Sequence, residues 1–342
     1  MHKCLSMLRK VLPLAVRVAI CATLAGCTAG TEDSRPPLGP GEAIGSCMSP
    51  AGEPICQGPS DGNCFCDDDC EASGDCCADK VDICGQSDEG SDDGSGMLAL
   101  TVSVGDGHSC ALLTDRTAQC WGDDDRGQAR APAGSFLQVS AGGAHSCAVQ
   151  ADTTLACWGN DDRGQSSPPS GSFLAVTTGR QHSCALAADK TLVCWGNPDD
   201  GRTAPPSGPF LSVTAGSTAD HTCGIRADKT LACWGQTQAA PSGPFLSVST
   251  GGDHSCAVDA QYRVACWGDG GQADAPAGTY LSVSAGADHS CAVKSDKTLS
   301  CWGNDGSGQA SPPGGTFLAV SAGPHRTCAV ASDYIIACWG DR

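Results

Sequence analysis

The chain has 342 residues, of which 38 are Asp or Glu and 20 are Lys or Arg, giving a formal net charge of −18. A chain this acidic lacks the basic surface that binds phosphates, so we exclude nucleic acid as a partner. Its 25 cysteines are typical of a protein exported to an oxidising compartment, where disulfides persist.

Residues 1–26 have the organisation of a secretory signal peptide. Four basic residues come before an apolar run from Val18 to Gly26 that is too short to span a bilayer. The run ends in Leu24-Ala25-Gly26-Cys27, which resembles a bacterial lipobox. The resemblance implies that Cys27 is acylated and becomes the mature N-terminus. An ordinary signal peptide cleaved elsewhere is the alternative.

Acylation of Cys27 would make the membrane a partner of the protein, because more than one acyl chain gives stable anchoring. Thr28 follows this cysteine, and by analogy with lipoproteins this favours the outer membrane of the bacterial cell envelope, on its surface or periplasmic face. Loss of the four signal-peptide bases leaves a mature net charge near −22. Residues 27–46 and 85–97 are rich in Gly, Ser, Pro and acidic residues, and we interpret them as a flexible tether and an acidic linker.

Residues 47–84 contain eight cysteines within 38 residues. A core this small needs covalent bridges, and the sequence alone leaves 105 connectivities open. The cysteines are Cys47, Cys56, Cys64, Cys66, Cys70, Cys76, Cys77 and Cys84. Their spacing resembles the somatomedin B domain, which implies its disulfide-rich fold. Lys80 and the segment 71–75 depart from that family's partner-binding pattern, so we expect the fold and not its partners. A zinc site is a less favoured alternative.

Residues 98–342 repeat one unit seven times, with one tryptophan in each unit. These are Trp121, Trp158, Trp195, Trp234, Trp267, Trp302 and Trp339. A period of about 36 residues predicts a solenoid, propeller or array. Each unit alternates apolar and small residues over short segments, as strands do. Glu is absent after Glu89 and Pro-Pro pairs recur, so the region is predicted to be all-β.

Two cysteines ten residues apart recur in every unit. Pairing Cys184 with Cys194 across a hairpin also pairs Leu186 with Leu192 and leaves five residues for the turn. The same pairing predicts disulfides Cys110–Cys120, Cys147–Cys157, Cys184–Cys194, Cys223–Cys233, Cys256–Cys266, Cys291–Cys301 and Cys328–Cys338. Six units carry an Asp at the middle of this turn, where its side chain can bond its own backbone.

The two faces of each small sheet must both be buried, and a closed ring of seven blades achieves this. The pattern Ala141-Gly142, His145-Ser146, Trp158-Gly159 and Gly164-Gln165 resembles the regulator of chromosome condensation repeat family. The resemblance implies a seven-bladed β-propeller. The short units are more similar to bacterial members typified by β-lactamase inhibitor protein II, whose blades have fewer strands. The nucleotide-exchange activity of the eponymous protein is not expected here.

Three groups of residues are candidate sites. A histidine lies two residues before the first cysteine in six units: His108, His145, His182, His221, His254 and His289. A metal-binding ring is the alternative to our interpretation, in which each histidine has a structural use and bonds a neighbouring backbone carbonyl. The loops 122–128, 159–165 and 303–309 carry oxygens suited to calcium, but turn chemistry is the favoured interpretation. Departures from the repeat are Arg180, Arg202, Gln236 to Gln238, Tyr262, Tyr280 and Tyr334.

We predict neither a catalytic set nor a cofactor or metal. The sequence favours a non-enzymatic surface or periplasmic lipoprotein that binds a protein or a glycan through its propeller loops. A lyase or hydrolase on the propeller and an inhibitor of another enzyme remain as alternatives, since the fold alone does not decide function.

Overall fold

The computed structural model describes residues 96–268 and 274–341. The chain divides into two units, Met1–Cys84 and Gly85–Arg342, and every described residue belongs to the second. The predicted signal peptide, the acylation site Cys27, the tether and the small cysteine domain lie outside the described residues, as does most of the acidic linker. No helix within the described ranges is long and apolar enough to cross a bilayer.

The described residues form seven three-stranded antiparallel sheets, the blades, each with an inner, a middle and an outer strand. The inner strands are β1 (Ala99–Val104), β4 (Phe136–Ala141), β7 (Phe173–Thr178), β10 (Phe210–Ala215), β13 (Phe245–Thr250), β16 (Tyr280–Ala285) and β19 (Phe317–Ala322). The middle strands are β2 (His108–Leu113), β5 (His145–Gln150), β8 (His182–Ala187), β11 (His221–Arg226), β14 (His254–Asp259), β17 (His289–Lys294) and β20 (Arg326–Ala331). The outer strands are β3 (Ala118–Gly122), β6 (Leu155–Gly159), β9 (Leu192–Gly196), β12 (Leu231–Gly235), β15 (Val264–Gly268), β18 (Leu299–Gly303) and β21 (Ile336–Gly340).

The prediction of disulfide-stapled β-blades is confirmed. Cys184 lies directly opposite Cys194, and Leu186 lies opposite Leu192. This is the pairing that the spacing of the cysteines predicted. The same register and a disulfide recur in all seven blades, with Cα–Cα distances of 4.0–4.1 Å. The first cysteine of each pair is fully buried. Cys110, Cys147, Cys256 and Cys328 pack in a core that their blade shares with the next blade around the ring.

The inner strands of consecutive blades pack against one another, and β1 packs against β19 and β20, which closes the ring. The first and last blades share a core that contains Val102, Trp121 and Val330. Gly96 and Met97, which the sequence placed in the linker, hydrogen-bond to the backbone of Ile336. These two residues therefore help to hold the last blade to the first.

A ring of hydroxyl groups links the inner strands. Ser103 accepts a hydrogen bond from the backbone N–H of Ala141 in the next blade, at 2.9 Å, and Ser321 accepts one from Val104 across the closure, also at 2.9 Å. Equivalent bonds occur at four further junctions. These hydroxyl oxygens accept from backbone N–H groups of the inner strands that would otherwise be unpaired. Neighbouring blades therefore pack side by side while each remains a separate sheet. The inner strands enclose a central channel of about 300 Å³.

Candidate binding surface

The ring has two different faces. On one face, here called the connector face, middle strands begin, outer strands end, and the connectors to the next blade start. On the other, the hairpin face, middle and outer strands are joined by tight turns. The turn carbonyl of one blade accepts a hydrogen bond from the first residue of the next inner strand, as Arg116 does from Phe136 at 2.8 Å. This bond holds neighbouring blades together at the hairpin face.

The six histidines lie at the connector face, where each imidazole Nε2 hydrogen-bonds a hydroxyl in the next blade. The pairs are His108–Ser146, His145–Ser183, His182–Thr222, His221–Ser255, His254–Ser290 and His289–Thr327, at 2.7–2.8 Å. This geometry agrees with a structural use, but the partner is a side-chain hydroxyl of the next blade and not the backbone carbonyl that the sequence predicted. The signal was in the sequence, because Ser or Thr follows every histidine of the motif.

Burial keeps these imidazoles neutral. Desolvation lowers the pKa of His145 and His182 to about 3. Desolvation also lowers the pKa of His108, His221, His254 and His289 to about 4. A neutral, buried imidazole that already bonds a hydroxyl is not placed to exchange protons with a bound molecule.

In five of the six blades with a histidine, a glycine lies three residues before it, and this glycine explains how the imidazole fits at the junction. A Cβ on Gly142 would lie 2.9 Å from Cε1 of His145 and 2.6 Å from the carbonyl oxygen of Gly179 in the next blade. Equivalent clashes with the imidazole occur at Gly105 and Gly251. The Gly-x-x-His spacing is therefore required by the packing of imidazole against backbone at the blade junction.

The connectors fasten the outer part of each blade to the blade before it. The indole N–H of Trp158 donates to the carbonyl oxygen of Gln128 at 2.8 Å, and the hydroxyl of Ser146 donates to the same oxygen at 3.3 Å. The indole N–H groups of Trp195, Trp234 and Trp339 donate to connector carbonyl oxygens in the same way, at 2.9 Å. At the closure, the indole N–H of Trp121 is buried and has no partner among the described residues. It borders a small cavity of about 150 Å³.

The connector face contains a cleft of about 680 Å³ across the first three blades. Its lining combines carboxylates, amides and guanidinium groups: Asp106, Asp123, Asn160, Asp162, Arg163, Arg180 and Gln181. The ion pairs at its edge are exposed, since the side chains of Arg126 and Asp162, 3.4 Å apart, are 58% and 70% exposed. These charged groups remain available to a partner because surface ion pairs are weak.

Two arginines that depart from the repeat meet at one carboxylate. Arg202 is almost fully buried and pairs with Asp220 at 2.6 Å and with Asp200 at 2.8 Å. Arg180 reaches the same Asp220 at 3.8 Å but is 58% exposed. Arg202 therefore has a structural role in its connector, while Arg180 presents its guanidinium to the cleft.

The other departures lie elsewhere. Gln236 to Gln238 line a second cavity of about 290 Å³ on the connector face, beside Trp267. Tyr280 replaces the usual Phe and is buried, with its hydroxyl donating to the carbonyl of Pro276 at 3.0 Å. Tyr262 and Tyr334 are exposed at hairpin turns. Among these departures, the two arginines share the carboxylate of Asp220, and the backbone N–H of Tyr280 donates to the carbonyl oxygen of Tyr262 at 2.7 Å.

The loops considered for calcium use their oxygens internally. In the loop 159–165, Asn160 accepts from the backbone of Asp162 and from the amide of Gln165, at 2.9 and 2.8 Å. Asp161 and the equivalent Asp305 accept from the backbone amides that follow them. This favours turn chemistry. Within the described ranges, no group of three or more His, Cys, Asp or Glu side chains could hold a metal ion.

Comparison with known proteins agrees with this geometry. The model of the regulator of chromosome condensation (RCC1) repeat matches residues 100–128, 136–165, 173–202 and 281–309. The chain contains RCC1-type repeats. No curated protein sequence matches the chain significantly.

Among solved structures, the propeller is similar to two plant receptor ectodomains. The CRINKLY ectodomain of the receptor kinase ACR4 from Arabidopsis thaliana is 26% identical, with a TM-score of 0.60 over 72% of this chain and 96% of that one. The ectodomain of the receptor kinase CR4 from Physcomitrella patens is 27% identical, with a TM-score of 0.60 over 70% and 72%. Yeast RCC1 (Prp20) bound to Kap60 is 14% identical, with a TM-score of 0.57 over 71% and 80%, and this likeness shows the fold alone.

Proposed function

We propose that the protein is a non-enzymatic, lipid-anchored binding module of the bacterial cell envelope, and that its propeller binds a protein partner in the cleft on the connector face. The observation that carries the proposal is the cleft itself. It is wide and polar, it exposes side chains of both charges, and it spans three consecutive blades. Each of those blades is held rigid by a disulfide and by histidine–hydroxyl bonds to its neighbours.

The charge distribution indicates the chemistry of the partner. Of the 21 aspartates in the described part of the repeats, seven lie in or beside the hairpin turns, and the other 14 lie in the loops and connectors of the opposite side. A partner with a basic surface would be attracted to the connector face, and charge complementarity chiefly increases association rate and specificity. The exposed guanidinium of Arg180 gives one position where the partner would present an acidic or carbonyl group.

The proposed location draws on the sequence and on the comparisons. Seven disulfides need an oxidising compartment, and the lipobox-like segment at Cys27 gives a route to one. The two solved structures that are 26% and 27% identical are receptor ectodomains. This supports an extracytoplasmic propeller that presents its loops to a partner.

A glycan is the second candidate ligand, because the cleft lining of carboxylates and of the amides of Asn160 and Gln181 suits hydroxyl groups. An enzyme is less favoured, since the six histidines are buried and already bonded across the blade junctions. An inhibitor of another enzyme would use the same surface, and it would act stoichiometrically.

The test is capture of partners from envelope extracts, together with a glycan array, using the full mature chain. The variant Arg180→Glu reverses one of the positive charges that line the cleft, and we expect it to weaken binding at least tenfold, as loss of one charged group of an interface pair does. The matched control is Arg263→Glu on the hairpin face. It is also an exposed arginine paired with an aspartate, Asp259, and it should bind normally.

Equal loss of binding in both variants would place the partner elsewhere. Reproducible turnover of a substrate, abolished by replacing Asp106 or Asp123 in the cleft, would contradict a non-enzymatic role.

A further inference from the structure

The inner strands carry a ring of exposed leucines on the hairpin face. In six blades, the residue after the buried Phe or Tyr is a leucine that is 41–55% exposed: Leu137, Leu174, Leu211, Leu246, Leu281 and Leu318. Leu100 holds the same position in the first blade and is partly buried. Because the blades repeat around one axis, these leucines form a ring at the N-terminal ends of the inner strands, on the hairpin face. Exposed apolar groups that are gathered on one face mark interaction sites.

A β-bulge explains why the leucines are exposed. In every blade, the register between inner and middle strands shifts at this residue, as between Phe136 and Gln138. The phenylalanine stays in the core and the inserted leucine remains unpaired with the middle strand. About half of each of these side chains is buried, and the equivalent Leu100 packs against the core between the first two blades. Packing therefore accounts for part of each leucine, and the exposed apolar surface that remains on six of them is free to contact a partner.

Other residues of the hairpin face match a lipid interface. Tyr262 and Tyr334 are about half exposed at the turns. Seven basic residues lie in or beside these turns, matching the seven aspartates there, so this face is neutral. Among the described residues, the opposite side carries 14 aspartates and six bases. A surface with Leu, Tyr and Lys or Arg is typical of proteins that lie in the interfacial region of a bilayer. The acidic side would be repelled by anionic lipids.

The chain also enters the propeller at this face. Leu98, which is 52% exposed, forms a β-bridge with Ile335 beside the last hairpin turn, and its carbonyl accepts from the backbone of Thr114 in the first turn. Any anchor N-terminal to Gly96 therefore connects to the propeller on the side of the leucine ring.

We propose that the hairpin face of the propeller docks on the interfacial region of a lipid bilayer, with the leucine ring inserted among the headgroups and the upper acyl chains. The inference rests on the proposed lipid anchor only for the approach to the membrane. Docking in this orientation turns the connector face, with its cleft, away from the lipid and toward a partner.

The test separates docking from anchoring. The full mature chain with Cys27→Ser cannot be acylated, so its sedimentation with phosphatidylcholine vesicles reports the propeller surface. We expect binding at millimolar lipid, near the affinity of about 10⁴ M⁻¹ that a single acyl chain gives. The added substitutions Leu174→Asp, Leu211→Asp and Leu246→Asp should lower the partition coefficient at least tenfold. Val193→Asp is the control, because Val193 is 37% exposed on an outer strand, away from the ring.

Circular dichroism and the thermal midpoint would show that the variants remain folded. Absence of vesicle binding by the unacylated chain would overturn the proposal, and so would equal binding by the triple variant. Dimerisation in analytical ultracentrifugation that depends on the leucines, without vesicle binding, would instead make the ring an interface between two copies. Partner capture by the Cys27→Ser chain is measured separately, so that a failure of docking is distinguishable from a failure of the proposed function.

Discussion

Acidification should destabilise the propeller through its six buried histidines, and the structure fixes the sign of the effect. Burial lowers the pKa of these imidazoles from 6.5 to about 3 or 4 in the folded chain. Between pH 6.5 and pH 4 the unfolded state therefore binds protons that the folded state does not. Stability rises with pH wherever the unfolded state binds more protons. The free energy of unfolding should be constant above pH 7 and fall as the pH falls through 6.5.

The magnitude follows from the same pKa shifts. One pKa unit corresponds to about 1.4 kcal/mol, so a histidine with a folded pKa of about 4 loses about 2 kcal/mol of stability between pH 8 and pH 5. The turn aspartate Asp115 does not interfere. The hydrogen bond that Thr117 donates to Asp115 lowers the pKa of that carboxyl, so it titrates below this window. We do not add the six histidine contributions, because His145 and His182 interact.

The assay is calorimetric unfolding from pH 7.5 to pH 5 under reversible conditions. The variant His145→Gln removes one titrating group while keeping an amide that can bond Ser183, and unfolding should take up about one proton fewer. The double variant His145→Gln/His254→Gln should take up about two fewer, because these histidines lie at separate junctions. A thermal midpoint that rises on acidification would contradict the predicted loss of stability. A proton uptake that is unchanged in both variants would contradict the assignment of this loss to the buried histidines.

Two further predictions follow from the packing, and a third concerns the N-terminus of the mature chain. Gly142→Ala should lower the free energy of unfolding by about 2 kcal/mol in guanidinium titrations, because its Cβ would meet a carbonyl of the next blade at 2.6 Å; Gly314→Ala, with nothing within 4 Å, should be neutral. Replacing Cys184 and Cys194 together by Ala should destabilise by about 3 kcal/mol, and an unchanged midpoint would contradict this. Intact mass should show the mature chain beginning at acylated Cys27; a chain beginning elsewhere would exclude the anchor.

The sequence predicted the blade well because its signals act within one hairpin. Cys184, Cys194 and the leucine pair between them determine the register without reference to other blades. The contacts between blades were harder to predict. His145 and Ser146 are adjacent in sequence, yet they bond in opposite directions, to the blade after and to the connector before.

The candidate surfaces were predicted less well than the fold. Arg180 was noted as a departure from the repeat, but its meeting with Asp220 depends on the connector path. The exposure of Leu174 depends on a bulge that strand alternation does not reveal, because a Phe-Leu pair is also expected in a buried strand.

Disulfide mapping is the most direct test of the stapled propeller, because the rigid ring depends on the disulfide within each blade. Peptide mapping of the unreduced mature protein by mass spectrometry should find the seven propeller pairs linked ten residues apart, with no cysteine of one blade joined to another. Free thiols at these positions, or links between different blades, would contradict the stapled propeller and the oxidising compartment proposed for it.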